Sequence, residues 1–137
     1  MAKNTMPVSH AKTAYGLLGE IARLIVEEPK RYNQHGWLQR EQDRSQMQPV
    51  EYPSCGTVGC VAGWVVALKA KRRPNYFRTG DKAADILGLD VDQHDELFGS
   101  SAAGETDRQT PEHAEAGASH IRRFMQANRA QLLAKKV

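Results

Sequence analysis

The sequence predicts an all-α protein, a single compact domain of about five helices around a buried central helix. Its 137 residues suit one domain, expected to span 1–137 with a loose N-terminus over residues 1–8. Several stretches repeat apolar residues at the three-and-four spacing of an amphipathic helix. By contrast, no stretch of useful length alternates apolar and polar residues as a half-buried strand does.

The central helix is expected over residues 58–71, which include the most apolar run of the chain. Apolar residues cover most of its circumference, as in a helix that is buried on all sides. Thr57 is the expected N-cap, because its hydroxyl suits the free amides of a first turn. Glycine inside a helix costs about 1 kcal/mol relative to alanine, so Gly63 is expected where a neighbouring helix crosses closely.

The two longest amphipathic patterns flank this helix. The first is expected from an N-cap at Ser9 to about Glu28, before Pro29. The last is expected from Pro111, after an N-cap at Thr110, to near the C-terminus. The inner face of the last helix is predicted to hold Ala114, Ala118, Ile121, Phe124, Met125, Asn128 and Leu132.

Two short helices are expected between residues 79 and 98. Thr79 or Asp81 starts the first, and Gly88 ends it in the position of a C′ residue. Asp90 caps the second. The predicted inner side of the second helix consists of Val91, His94, Leu97 and Phe98.

One short segment holds both cysteines of the chain. Its defining residues, predicted to be a structural motif, are Cys55, Gly56, Thr57, Cys60, Gly63 and Trp64. The segment resembles the C-G-T-x-x-C-x-A-G-W signature of small uncharacterised proteins of bacteria and their phages. Trp37 before it and the Leu97–Phe98 pair after it extend the resemblance over residues 37–98. The resemblance implies one compact domain and a phage or mobile-element source, but no activity.

Cys60 offers the main chemical alternative. A cysteine in the first turn of a helix has a lowered thiol pKa and could act as a nucleophile, with His120 or His113 as base. The simpler interpretation is a small buried side chain. A zinc site on Cys55 and Cys60 would need two histidines, and the Cys-x4-Cys spacing is looser than usual, so neither a metal nor another cofactor is expected.

Charge and composition favour binding over catalysis. The net charge is +3, with acidic and basic residues interspersed over most of the chain. One compact basic cluster, between Lys69 and Arg78, interleaves cations with aromatics as single-strand nucleic-acid binders do. The preference for positive charge at the C-terminus of a helix explains most of these cations equally well. The candidate binding residues are Trp37, Tyr76, Arg72, Arg73 and Arg78, types common in binding hot spots.

These observations predict a non-enzymatic interaction protein whose partner is another protein. A thiol-dependent enzyme centred on Cys60 and a nucleic-acid-binding module are the alternatives. The polar loop at 39–52 is a candidate partner-binding or lid segment, because long loops in compact domains are often functional. No membrane partner is expected, since no apolar run approaches the ~20 residues of a span. A cytoplasmic location follows from the lack of a signal-peptide pattern, and it is the host cytoplasm if a phage encodes the chain.

Overall fold

The computed structural model describes residues 9–31, 39–40, 57–58, 61–69, 79–98 and 111–137. Over these ranges the protein is all-α, which confirms the predicted fold class. The helices are α1 (Ala14–Glu27), α2 (Val61–Lys69), α3 (Thr79–Leu87), α4 (Val91–Phe98), α5 (Pro111–Ala127) and α6 (Arg129–Ala134), with a 3₁₀ turn at Pro29–Arg31. The longest two, α1 and α5, pack against each other, and α2 packs on α1 and α3.

Helix α2 is buried along almost its whole length, as the apolar pattern predicted. Residues 61–68 are all buried, and Trp64 has no exposed surface. The helix begins at Val61, so the prediction of Thr57 as its N-cap is wrong. Thr57 lies instead in an extended segment that hydrogen-bonds to another part of the chain.

That extended segment belongs to a short antiparallel pair of strands. Strand β1 (Gln39–Arg40) lies against β2 (Thr57–Val58), with Gln39 opposite Val58 and Arg40 opposite Thr57. The sequence analysis, which found no strand-like alternation, did not predict this pair, and the first two residues of the predicted polar loop 39–52 belong to it. Two residues per strand are too few to produce an apolar–polar alternation that could be recognised in the sequence.

Helix α1 starts later than predicted and uses a different cap. Thr13 is the N-cap, and its Oγ1 accepts a hydrogen bond from the Gly16 backbone amide at 3.1 Å. The predicted cap at Ser9 is wrong, because the Ser9 hydroxyl donates to Glu20 Oε1 at 2.6 Å. Thr13 itself is extended, with φ −130° and ψ 159°, and pairs in an antiparallel bridge with Lys136, so the helix begins after it.

The C-terminus forms the other half of this bridge. The Ala14 amide donates to the Lys135 carbonyl at 2.8 Å, and the Val137 amide donates to the Lys12 carbonyl at 3.1 Å. These hydrogen bonds fix residues 135–137, after α6, along the start of α1. The two ends of the described chain are therefore held together by backbone hydrogen bonds.

The predicted last helix is interrupted. Asn128, with φ −121° and ψ 28°, separates α5 from α6, so the expectation of one helix to near the C-terminus is wrong. The predicted inner face is nevertheless confirmed. Its apolar members Ala114, Ala118, Ile121, Phe124, Met125 and Leu132 are buried, and Asn128 is half-buried.

Helices α3 and α4 follow their local sequence signals closely. Gly88 ends α3 with a φ of +73°, the left-handed conformation expected of a C′ glycine. Asp90 caps α4 as predicted, because its Oδ1 accepts from the Gln93 amide at 2.8 Å. In return, the Asp90 amide donates to Gln93 Oε1 at 3.0 Å, which completes a capping box.

One residue of α4 does not follow the prediction. Leu97 is buried and His94 and Phe98 are half-buried, but Val91 is 76% exposed. At about 100° per residue, Val91 lies about 120° around the helix from Leu97. It therefore falls outside the stripe that α4 presents to the core.

Candidate functional site

The signature segment is only partly described, and its described part belongs to the interior. Gly63 is buried and Trp64 is completely buried within α2, while Thr57 pairs in β2. Cys55, Gly56 and Cys60 lie outside the described residues. In the part that is described, the segment contributes to packing and to strand pairing.

The candidate binding residues also lie outside the described ranges. They are Trp37, Tyr76, Arg72, Arg73 and Arg78. Lys69, the first cation of the basic cluster, is described, and its Nζ donates to the Ala11 carbonyl at 2.8 Å. This hydrogen bond ties the end of α2 to the segment before α1, so Lys69 has a structural role within the fold.

His120, the candidate base, is held by the backbone of a neighbouring helix. Its Nε2 lies 2.6 Å from the Glu96 carbonyl oxygen, which joins α5 to α4. A carbonyl oxygen only accepts, so Nε2 carries the proton, and in the neutral ring Nδ1 is the acceptor. The structure thus supplies an orienting group for His120 that the sequence analysis did not find, because any residue type can present a backbone carbonyl.

The other two helical histidines occupy different environments. His113 is completely buried in the first turn of α5. His94 is half-buried, with Nδ1 3.2 Å from Asp95 Oδ1 and Nε2 3.7 Å from Asp81 Oδ1. Its ring meets Phe98 edge-on, with centroids 5.3 Å apart and an interplanar angle of 85°. The ring of His94 therefore fills the junction between α3 and α4.

A cluster of side-chain amides links this junction to the break after α5. We call Gln93, Asn128 and Gln131 the amide cluster. Gln93 Nε2 donates to Asn128 Oδ1 at 2.9 Å and to Gln131 Oε1 at 2.8 Å. Gln131 Nε2 lies 2.9 Å from the Gly88 carbonyl and 2.9 Å from Gln93 Oε1. Sequence reasoning missed this cluster, because no local pattern joins glutamines that are 38 residues apart.

The described residues contain neither a recognisable metal site nor a candidate membrane span. Among the described side chains, no group of three or more His, Cys, Asp or Glu residues could hold a metal ion. No helix in the described part of the chain is long and apolar enough to cross a membrane. No family model, curated protein or solved structure matches this chain.

Proposed function

We propose that this protein works by binding another protein rather than by catalysis. The observation that supports this most is the complete burial of Trp64 inside α2. The most distinctive apolar side chain of the signature segment is thereby committed to the core, which favours a structural role for the segment. The position of His94 between α3 and α4 favours the same interpretation.

The proposed contact surface consists of the aromatic and basic residues that the sequence marks as candidate binding residues. Its members are Trp37, Tyr76, Arg72, Arg73 and Arg78. Tryptophan, tyrosine and arginine supply most of the energy in many interfaces, because they combine large contact area with polar groups. A partner that fits these side chains carries an acidic surface with an apolar pocket. The resemblance of the signature segment extends the proposal to a phage-encoded chain that binds a macromolecule of its bacterial host in the host cytoplasm.

A charge-reversal pair tests this surface. We compare Arg72→Glu/Arg73→Glu with Arg122→Glu/Arg123→Glu, two adjacent arginines that are exposed on α5. Both double variants make the same change in net charge. Partners are captured from bacterial lysate with photo-crosslinking and identified by mass spectrometry. We expect a partner that binds the wild type and the α5 variant but not the variant at residues 72 and 73.

Equal capture by both double variants would refute the proposed surface. Each variant is first checked for a cooperative thermal melt, so that loss of folding is not mistaken for loss of contact. The same proteins are titrated with a fluorescent single-stranded oligonucleotide. Salt-sensitive binding that is lost only in the variant at residues 72 and 73 would favour the nucleic-acid alternative. Lys69, one cation of the basic cluster, already donates a hydrogen bond to the Ala11 carbonyl. This engagement within the fold counts against the nucleic-acid alternative.

A thiol-dependent enzyme remains the second candidate, and the orientation of His120 is the observation that favours it. The Glu96 carbonyl fixes one ring nitrogen as donor, which leaves Nδ1 as the nitrogen able to accept a proton. This is how a positioned general base is commonly held. The candidate nucleophile remains Cys60.

Alkylation by iodoacetamide against pH separates the two candidates. Cys55 serves as the internal control, and His120→Gln is compared with the wild type. For an interaction protein we expect the rate at Cys60 to be unchanged by His120→Gln. Fast modification of Cys60 with an apparent pKa well below ~8.5, slowed by the substitution, would favour the enzyme instead. Metal content measured on the same sample would detect a zinc-protected pair of thiols.

A further inference from the structure

We propose that α6 and the C-terminal residues 135–137 form an exchangeable latch, and that a second copy of this chain is its alternative acceptor. The latch closes on its own chain when the helix bends at Asn128. It closes on a neighbouring copy when α5 and α6 join into one straight helix. The straight form is an exchanged dimer with two-fold symmetry.

The first argument comes from the sequence around the bend. Residues 118–134 contain neither proline nor glycine, and Arg129 to Ala134 are mostly strong helix formers. Sharp kinks in helices normally occur at proline, at glycine or where another group inserts. The local sequence therefore favours a continuous helix, and the bend must be imposed by contacts elsewhere in the fold.

The second argument comes from the backbone at the bend. The Asn128 amide still donates to the Phe124 carbonyl at 3.1 Å, and the Leu132 amide donates to the Asn128 carbonyl at 3.0 Å. The helical hydrogen-bond spacing thus persists through Asn128. The Asn128 side chain does not cap α6, and its Nδ2 donates back to the Phe124 carbonyl at 2.9 Å. Straightening needs a change at one residue and leaves most of the helix in place.

The third argument is that two separate sets of contacts hold the bend. On one side the amide cluster joins Asn128 and Gln131 to Gln93 at the start of α4. On the other side Leu132 is completely buried, and the backbone of residues 135–137 pairs with residues 12–14. Both sets of contacts join α6 and residues 135–137 to other parts of the same chain. A second copy of the chain has the same parts and could make the same contacts.

These features together select a second copy as the acceptor. In an exchanged dimer every contact of α6 is remade with the partner, so exchange costs only association entropy and the change at the hinge. The hinge change is favourable where the local sequence prefers helix. Substitutions at residue 128 should therefore tune the balance between monomer and dimer.

Two substitutions at Asn128 form a matched pair. Asn128→Ala and Asn128→Gly remove the same amide hydrogen bonds, but alanine favours a continuous helix and glycine opposes it. Their difference in helix propensity amounts to about five-fold per hinge, and about 25-fold for the two hinges of a dimer. Sedimentation velocity over a concentration series measures the association constant of each variant.

We expect Asn128→Ala to dimerise about 25-fold more strongly than Asn128→Gly. The exchanged dimer should also dissociate slowly on dilution, because α6 must open before it can return. Gln93→Ala removes the same hydrogen bonds from monomer and dimer, so we expect it to leave the association constant near that of the wild type and to speed the exchange. Gln126→Ala is the control, since its Nε2 donates to the Tyr15 hydroxyl and lies outside the amide cluster.

Two results would overturn the proposal. One is dimerisation of Asn128→Gly at least as strong as that of Asn128→Ala, which would indicate general destabilisation. The other is the absence of self-association in Asn128→Ala. A dimer that dissociates at once on dilution would indicate ordinary surface association and would equally contradict exchange.

Discussion

Gly80, the second residue of α3, leaves room for the ring of His94. A Cβ added at residue 80 would lie 2.7 Å from His94 Nε2, closer than real side-chain contacts allow. Gly80→Ala must therefore displace the ring. The ring is the end of a half-buried side chain, so it can move, but it then leaves its edge-on contact with Phe98.

The change in unfolding free energy caused by Gly80→Ala can be worked out in the His94→Ala protein and in the wild type. In His94→Ala protein the added methyl has space, and replacing glycine by alanine in a helix stabilises by up to about 1 kcal/mol. In the wild type the same gain is offset by loss of the His94–Phe98 contact, worth about 0.5–1.5 kcal/mol. The contact of His94 Nε2 with exposed Asp81, at 3.7 Å, adds little. We therefore expect a coupling free energy of about 1 kcal/mol between residues 80 and 94.

Urea denaturation of the four proteins of this double-mutant cycle measures the coupling. The unfolding free energies of the wild type, Gly80→Ala, His94→Ala and the double variant are compared. The comparison requires that all four lose stability with urea concentration at the same slope. Gly80→Ala should stabilise the His94→Ala protein and be neutral or destabilising in the wild type. The same change in unfolding free energy on both backgrounds would refute the steric argument.

Three further substitutions are checked by thermal and urea denaturation. Gly63→Leu should lower the unfolding free energy by 1–3 kcal/mol or more by overpacking the buried α2, and an unchanged melt would contradict this. Gly88→Ala should cost about 1–2 kcal/mol because of its φ of +73°. Its Cβ would also lie 3.1 Å from the Lys135 side chain, but Lys135→Ala should not restore the loss, because the strain is in the backbone. Lys69→Met should cost about 1 kcal/mol by removing the donor to the half-buried Ala11 carbonyl, and an unchanged unfolding free energy would show that water replaces the ammonium fully.

The sequence predicted the structure correctly where a residue acts on backbone groups within one helical turn of itself. Gly88 and Asp90 are such cases, because a left-handed C′ residue and a capping side chain act on amides three or four residues away. It failed at the start of α1, where Ser9 and Thr13 are both good caps. The choice between them is made by the pairing of Thr13 with Lys136, at the other end of the chain.

The same distinction explains the errors at Thr57 and Asn128. Each lies in a stretch with helical character, and each takes a different conformation because of partners remote in sequence. Thr57 pairs with Arg40, and Asn128 is held by Gln93. Within the candidate site, the orientation of His120 could not be predicted from the sequence either, because its partner is a backbone carbonyl.

The burial of residues 61–68 of α2 determines how functional experiments on the signature segment must be interpreted. A substitution at Trp64 removes a side chain with no exposed surface and should cost about 3–5 kcal/mol. That is a large part of the 5–15 kcal/mol typical of a whole domain. Loss of partner binding in such a variant would therefore reflect unfolding. Only substitutions at residues that contribute little to stability, as expected for Arg72 and Arg73, distinguish contact with a partner from support of the fold.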